Sequence, residues 1–208
     1  MLKDIEKIFG SAARVRLMRY FLAHPEESMA VIHLPNITKV GKSAVNKEVN
    51  FLKKLGFLQE MIIEEFYEVE TKTKKTIKSR KLSGVCLNKD FSYNDSLSTV
   101  LLDFRFIDTK EIAESFRNHG KIKLLVLGGI FTQEEKSKLD VLVVGDSLDK
   151  NGVDKAIKNI EAELGTDLTY SAFETDEYQY RVKMYDRFLR EFLRMDTIVL
   201  VDKISTTV

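Results

Sequence analysis

This sequence of 208 residues contains little cysteine, proline and histidine, and these shortages exclude several classes of protein. The single cysteine, Cys86, excludes an internal disulfide, and its apolar neighbours predict a buried thiol. Three scattered histidines without cysteine partners at metal-ligand spacing argue against zinc, so we expect no metal and no cofactor. No apolar run is long enough for a membrane helix, and the N-terminus lacks the pattern of a signal peptide. We therefore expect a cytoplasmic protein with no membrane partner.

The sequence also lacks a large excess of charge of one sign. Its 33 lysines and arginines nearly balance its 32 aspartates and glutamates, which leaves a formal net charge of +1. Attraction to nucleic acid therefore depends on where the cations are placed. With 44% hydrophobic residues the chain can bury a core, and its length suits one large domain or two small ones.

The first 90 residues contain patterns typical of several helices, followed by patterns typical of a β-hairpin. Ser11 is a predicted N-cap, Pro25 ends the helix that follows it, and Gly56 ends a longer helix. Residues rich in Ile, Phe, Tyr and Val then predict strands. The predicted elements are helices at 2–9, 11–24, 29–34 and 42–55, a strand at 57–69, a basic hairpin tip at 72–81 and a return strand through 85–87.

The helix predicted at 42–55 has two distinct faces. Its apolar stripe consists of Val45, Val49, Leu52 and Leu55. Its opposite face consists of Ser43, Asn46, Lys47, Asn50 and Lys54. Asparagine can pair with adenine, and lysine can contact guanine or phosphate, so this face suits the major groove of DNA. An ordinary solvated helix face would explain the same residues if the helix stood alone.

A basic segment follows this helix along the chain. Its six cations, with no acid among them, are Lys72, Lys74, Lys75, Lys78, Arg80 and Lys81. Charges of one sign at a hairpin tip repel one another, and DNA phosphates relieve that repulsion while counterions are released. A solvated hairpin tip is the alternative. We expect Ser43, Asn46, Lys47 and Asn50 to contact bases, and Lys39, Lys42, Lys54 and the basic segment to hold phosphates.

Three segments of this half resemble a known family. They are Gly10–Leu17, Lys42–Glu48 and Leu52–Gly56, and together they resemble the winged helix-turn-helix transcriptional regulators of bacteria and archaea. The resemblance implies that residues 1–90 form a domain that binds double-stranded DNA. Since such regulators often bind as symmetric dimers, a homodimer is a further expectation.

Beyond residue 90 the pattern changes to alternating helices and strands. A connecting helix is predicted at 91–108, and residues 109–208 are predicted to form a small α/β domain. The chain is therefore expected to be a two-domain protein of the α+β or α/β class. The predicted elements of the second domain are a helix from the cap Asp108 to about 118, strands at 122–127, 139–144, 168–173 and 197–201, and helices at 153–164 and 175–193.

The second domain contains a glycine turn at Gly128-Gly129 followed by a strand with acidic ends. This order is similar to the minimal nucleotidyltransferase fold of the polymerase-beta superfamily. In that family a Gly-Ser turn holds the triphosphate, and an Asp-x-Asp pair on the next strand binds two metal ions. The closing segment, from Gly165 to Asp202, is similar to regulators in which a winged helix is fused to such a domain. Together these resemblances cover nearly the whole chain.

This sequence departs from the nucleotidyltransferase pattern at the residues that carry the chemistry. Lys138 stands where the first aspartate is expected, which leaves Asp140 alone. An ammonium in that place removes metal ligands and repels Mg²⁺, and Asp167 on a neighbouring strand does not restore the pair. We therefore expect a degenerate nucleotide site formed by Gly128, Gly129, Lys138 and Asp140, with no catalytic residues.

The expected function is that of a DNA-binding transcriptional regulator. Its second domain would sense a small-molecule or protein effector, or would serve oligomerisation. Two alternatives stay open. One is an active nucleotidyltransferase of the toxin-antitoxin kind that its winged helix targets, and the other is a winged-helix adaptor that contacts protein.

Overall fold

The computed structural model describes residues 2–71, 74–104, 107–134 and 136–204, with the side chains of all of them except 2, 3, 69–71, 74 and 76. These residues form a mixed α+β fold with two sheets. The chain divides into two compact units. The N-terminal unit comprises Lys3–Leu102 and Ala162–Thr166, and the C-terminal unit comprises Met1–Leu2, Asp103–Glu161 and Asp167–Val208. Within the described ranges, no helix has the length and apolar character to cross a membrane.

The N-terminal unit packs helices against a three-stranded sheet. Its elements are α1 (Leu2–Phe9), α2 (Ala12–Ala23), β1 (Ser28–Ala30), α3 (Leu34–Thr38), α4 (Lys42–Leu55), β2 (Leu58–Thr71), β3 (Lys74–Leu87) and α5 (Asn94–Leu101). The strands are antiparallel in the order β1-β3-β2. Leu17 and Phe21 of α2 and Leu52 of α4 are fully buried in the core, which also takes apolar side chains from both long strands.

The ends of α2 and α4 are set by the residues that the sequence indicates. Ser11 Oγ accepts a hydrogen bond from the Arg14 amide at 3.3 Å, which confirms the predicted N-cap. Gly56 follows α4 with φ +83°, a left-handed conformation that favours glycine at this position. The predicted apolar stripe was wrong for Leu55, which is 48% exposed because it lies at the last turn of the helix.

The helix predicted at 29–34 was wrong. Residues Ser28–Ala30 form β1, whose backbone pairs with β3 in the register Met29 opposite Val85. The helix that follows, α3, begins only at Leu34, with Pro35 in its first turn. Proline suits that place because its φ is already helical and an N–H is not needed there. Pro35 therefore begins this helix, whereas the prediction placed it after the helix.

The hairpin is longer than predicted, and its basic segment is not confined to a tip. Strands β2 and β3 pair without interruption from Leu58 opposite Leu87 to Thr71 opposite Lys74. The predicted tip cations from Lys74 to Lys81 therefore belong to a strand. Opposite charges directly across an antiparallel pair stabilise the pairing, and glutamates of β2 face several of these cations. Lys72 lies outside the described residues.

The segment predicted to connect two domains packs into the N-terminal unit. Helix α5 covers Asn94–Leu101 and is shorter than the predicted 91–108. Leu101 is fully buried in the core cluster of this unit, with Phe91 and Leu97 packed against it. Helix α5 is thus part of the hydrophobic core of this unit.

The C-terminal unit contains a four-stranded sheet. Its elements are α6 (Thr109–Ser115), β4 (Lys121–Leu127), β5 (Val141–Asp146), α7 (Lys150–Leu164, whose last residues lie in the N-terminal unit), β6 (Tyr170–Glu174), α8 (Thr175–Lys183), α9 (Arg187–Arg194) and β7 (Ile198–Asp202). The strand order is β6-β5-β4-β7, in which only the β5–β6 pair is parallel among these strands. Asp108 caps α6 by accepting a hydrogen bond from the Lys110 amide, as predicted.

Two predicted elements of this unit differ from the structure. The helix predicted at 175–193 is interrupted, because Asp186 caps a new helix by accepting hydrogen bonds from the amides of Phe188 and Leu189. The predicted strand at 139–144 begins instead at Val141. Lys138 and Asp140 therefore lie before the strand, and their side chains are not two successive positions on one strand face.

Candidate functional site

The outer face of α4 is a polar surface open to solvent. Every residue that the sequence assigned to base or phosphate contact on this helix is exposed, and these are Lys42, Ser43, Asn46, Lys47, Asn50 and Lys54. Lys39, three residues before the helix, is also exposed. The buried positions of α4, Val45, Val49 and Leu52, hold the helix against the core. Packing on one side thus fixes which side chains point outward.

The cations of this face are not neutralised by their surroundings. Among the residues that the structure describes, Lys39, Lys42, Lys47 and Lys54 make no ion pair. The next residue along, Lys53, differs because its Nζ lies 2.8 Å from Glu60 on β2. The outer face therefore presents positive charge that an anionic partner can use.

The single acid of α4 is turned away from this face. Glu48 has a side chain that is 6% exposed, and its Oε2 accepts a hydrogen bond from Arg14 Nε at 2.8 Å. Arg14 also donates to the Phe9 carbonyl oxygen, and its guanidinium lies 3.9 Å from the centre of the Phe51 ring. The negative charge of α4 is thus buried and paired, so the exposed face of the helix carries only positive charge.

The turn before α4 is anchored from α2. Arg16 donates a hydrogen bond to the Thr38 carbonyl oxygen at 3.0 Å, and the Thr38 hydroxyl donates to the Leu34 carbonyl oxygen. Lys39 then adopts φ +52°, a left-handed conformation that redirects the chain into α4. These contacts hold the end of α3 and the turn before α4 against α2.

The hairpin balances its own charge. Strand β3 carries five cations and no acid, and strand β2 carries five glutamates and no cation. The register places Glu64 opposite Lys81, Glu65 opposite Arg80 and Glu70 opposite Lys75. The expectation that the basic segment repels itself was therefore incomplete, because the acids that neutralise it come from the preceding strand.

Arg80 on β3 forms a close ion pair with Glu65 on β2. Its Nε and its Nη2 both lie 2.6 Å from Glu65 Oε2. His33 Nε2, just before α3, lies 2.6 Å from Glu65 Oε1, so one carboxylate joins the hairpin to the α3 segment. Hydrogen bonds from Arg80 and then from His33 lower the pKa of Glu65 below its ordinary value of 4.5.

The contribution of Glu65 to stability should depend on pH. Since its pKa is lower in the folded protein, the contribution is present above the unfolded pKa and is lost as the pH falls through the folded pKa. Urea midpoints of the protein and of Glu65→Gln should therefore differ at neutral pH and converge in acid. Glu68→Gln, on the same strand and without an ion pair to a described residue, is the control. A constant difference at all pH values would contradict the assignment.

The glycine turn of the C-terminal unit is held by Asp140. Asp140 Oδ1 accepts a hydrogen bond from the Ile130 amide at 3.0 Å, and its Oδ2 accepts one from the Thr169 amide at 2.8 Å. Its backbone also bonds to Gly128 and to Thr169. Asp140 is 9% exposed, and each oxygen of its carboxylate accepts a hydrogen bond from a backbone amide. Asp140 thus ties the turn to the start of β6.

The other predicted members of the nucleotide site do not form a metal-binding cluster with Asp140. Gly129 has φ +54°, and a Cβ there would collide with Asp140 Oδ1, so the turn closes directly on the carboxylate. Lys138 and Asp167 are both exposed. Across the described ranges, no group of three or more His, Cys, Asp and Glu side chains could hold a metal ion.

The sequence predictions missed the acids that face the basic segment and the break between α8 and α9. The first had a visible signal, since five glutamates lie among apolar residues just before the cations. The second was signalled by Asp186, which is a good N-cap residue. Cys86, predicted to be buried, is partly exposed. Comparison of the sequence with models of protein families, with curated proteins and with solved structures finds no significant match.

Proposed function

We propose that this protein binds double-stranded DNA through the outer face of α4 and acts as a transcriptional regulator. In this proposal the N-terminal unit is a winged helix-turn-helix, α4 enters the major groove, and the β2–β3 hairpin is the wing. The observation that carries it is the outer face of α4, where exposed lysines lie beside asparagine and serine side chains and no acid is exposed.

The two predicted contact regions, α4 and the β2–β3 hairpin, should contribute unequally to the attraction for DNA. Because β2 neutralises much of β3, the hairpin adds little net attraction for phosphates. Lys78 and Lys81 remain exposed and can contact the backbone of DNA, whereas Arg80 is held by Glu65. We therefore assign most of the electrostatic attraction to α4 and to Lys39 and Lys42 before and at its start.

Removing two cations from α4 should weaken binding to all DNA sequences. For Lys47→Gln/Lys54→Gln we expect an affinity lower by about tenfold and a salt dependence shallower by about 2 in log K against log salt, since each lost phosphate contact removes about 0.9. Fluorescence anisotropy with duplex DNA at several salt concentrations measures both. The matched control is Lys53→Gln, which lies beside Lys54 but is paired with Glu60. Equal losses in both variants would contradict the assignment of the face.

Asn46→Ala should change sequence preference more than affinity for non-specific DNA. A bidentate contact between asparagine and adenine contributes about 1–3 kcal/mol of discrimination between bases. Selection from a random DNA library with the full chain gives the preferred site, and competition with single-base variants gives the discrimination at each position. Asn159→Ala, an exposed asparagine in α7, is the control. An unchanged base preference in Asn46→Ala would show that this residue reads no base.

We further propose that the C-terminal unit is a nucleotidyltransferase-like domain without catalysis. The bonding of both Asp140 oxygens to backbone amides supports this, because each oxygen then has one fewer lone pair for a metal ion and is held by the fold. Incubation with Mg²⁺ and labelled nucleoside triphosphates tests the rival activity. Label transfer that is lost in Asp140→Asn would overturn the proposal. Absence of DNA binding even at low salt would favour the adaptor alternative.

A further inference from the structure

Helices α8 and α9 of the C-terminal unit line an open groove. The groove has a volume of about 460 Å³ and lies between the end of α8, the turn that follows it and α9. Its apolar wall is formed by Val182, Leu189 and Leu193. A volume in the range of about 300–1,000 Å³ with apolar walls is typical of small-molecule sites.

The remaining residues that line the groove are cationic or aromatic. They are Lys183, Tyr185, Arg190 and Arg194. None of the three cations makes an ion pair with a residue that the structure describes, although neighbouring arginines do: Arg181 pairs with Glu177 and Asp186, and Arg187 pairs with Glu191. Arg190 and Arg194 are four residues apart on α9 and therefore lie on the same face of the helix. An anion in the groove would relieve their mutual repulsion.

The aromatic residue at the rim holds an unusual backbone conformation. Tyr185 has φ +56°, which is uncommon for a bulky residue, and the residue is 74% exposed. The Arg190 guanidinium lies 5.6 Å from the centre of that ring. This cation–π contact favours positions of Arg190 near the rim of the groove.

Helix ends explain only part of this cation cluster. Lys183 and Arg194 are the last residues of α8 and α9, where positive charge interacts favourably with the helix dipole. Arg190 is the fourth residue of α9 and has no such role. The position of Arg190 in the middle of α9, beside an apolar groove, is therefore not explained by the helix dipole.

We propose that this groove binds a small amphipathic anion, that is, an apolar body with a carboxylate or phosphate group. The body lies against Val182 and Leu193, the partly exposed residues of the apolar wall, and the charged group accepts hydrogen bonds from Arg190 and Arg194. Guanidinium groups suit both kinds of head group because they can donate two parallel hydrogen bonds. Its ligand is a candidate effector of the regulator, a role that rests on the proposed function, whereas binding in the groove does not.

Binding of defined probes to the full chain tests the site. Isothermal titration calorimetry with octanoate and with octyl phosphate should give saturable binding, and the stronger of the two identifies the head group. Octanol lacks the charge and inorganic phosphate lacks the body, so each should bind at least about tenfold more weakly. Amide shifts in NMR spectra should map the probe to residues 182–194.

Two variants distinguish binding in the groove from a general effect of positive charge on α9. Arg190→Gln/Arg194→Gln should lower the affinity for the better probe by about tenfold or more, since charge-assisted hydrogen bonds are lost. Arg187→Gln, on the same helix but paired with Glu191, should bind as the unmodified chain does. Thermal unfolding of each variant shows that it is folded. Equal affinity in the double variant, inorganic phosphate binding as tightly as the probes, or no saturable probe binding at millimolar concentration would each overturn the proposal.

Discussion

Asp140→Ala should lower the free energy of unfolding by about 2 kcal/mol, because it removes the acceptor of two partly buried backbone amides, each at a cost near the lower end of about 1–3 kcal/mol. Those amides belong to Ile130 and Thr169, so the loss also separates the glycine turn from the start of β6. Urea unfolding followed by circular dichroism measures the change. The effect should be present without any nucleotide or metal ion, which marks the residue as structural.

A nearby aspartate provides the control for Asp140. Asp167 is exposed and lies two residues before Thr169, so Asp167→Ala should change the free energy of unfolding by no more than about 0.5 kcal/mol. If both variants were equally stable, the carboxylate of Asp140 would be free, and the case for a nucleotide site there would strengthen.

The second large effect is expected at the buried ion pair behind α4. Arg14→Met leaves Glu48, whose side chain is 6% exposed, without its partner. Removing one member of a buried pair costs about 3–5 kcal/mol, and we expect a value near the lower end because Arg14 itself is 24% exposed. Thermal or urea unfolding of the full chain measures it.

The double variant Arg14→Met/Glu48→Leu tests the cause of that loss. Replacing both charges by apolar groups removes the uncompensated carboxylate, so most of the lost stability should return. Arg117→Met, at an exposed arginine, is the control for loss of a surface cation. A double variant as unstable as Arg14→Met would show that packing of Arg14 on Phe51 matters more than its charge.

Local signals predicted much of the fold. The helix from Lys42 to Leu55 was predicted with its observed bounds, because a lysine-rich polar face, a clear apolar stripe and Gly56 all agree. The helix predicted at 29–34 failed because three residues form a strand only when β3 is beside them. That pairing joins positions more than 50 residues apart in sequence, and no local pattern reports it.

The site residues also divide into those that local sequence patterns predict and those that depend on contacts between distant segments. Exposure of Asn46 and Lys47 follows from helical period and could be predicted from sequence. The neutralisation of Arg80 depends on strand register and on His33, which comes from a different part of the chain. The role of Asp140 likewise depends on Thr169, which reaches it through tertiary folding.

The charge division between β2 and β3 also bears on aggregation. Strand β2 lies at the edge of its sheet, and Ile62 and Phe66 on it are 71% and 67% exposed. A long edge strand with exposed apolar side chains is a template for pairing with another copy, and carboxylates along it keep such edges apart. Once the glutamates of β2 are protonated in acid, the five cations of β3 lose their counter-charges and keep two copies apart instead. Self-association through β2 should therefore begin when concentrated protein is placed in high salt, which screens the charges of the hairpin.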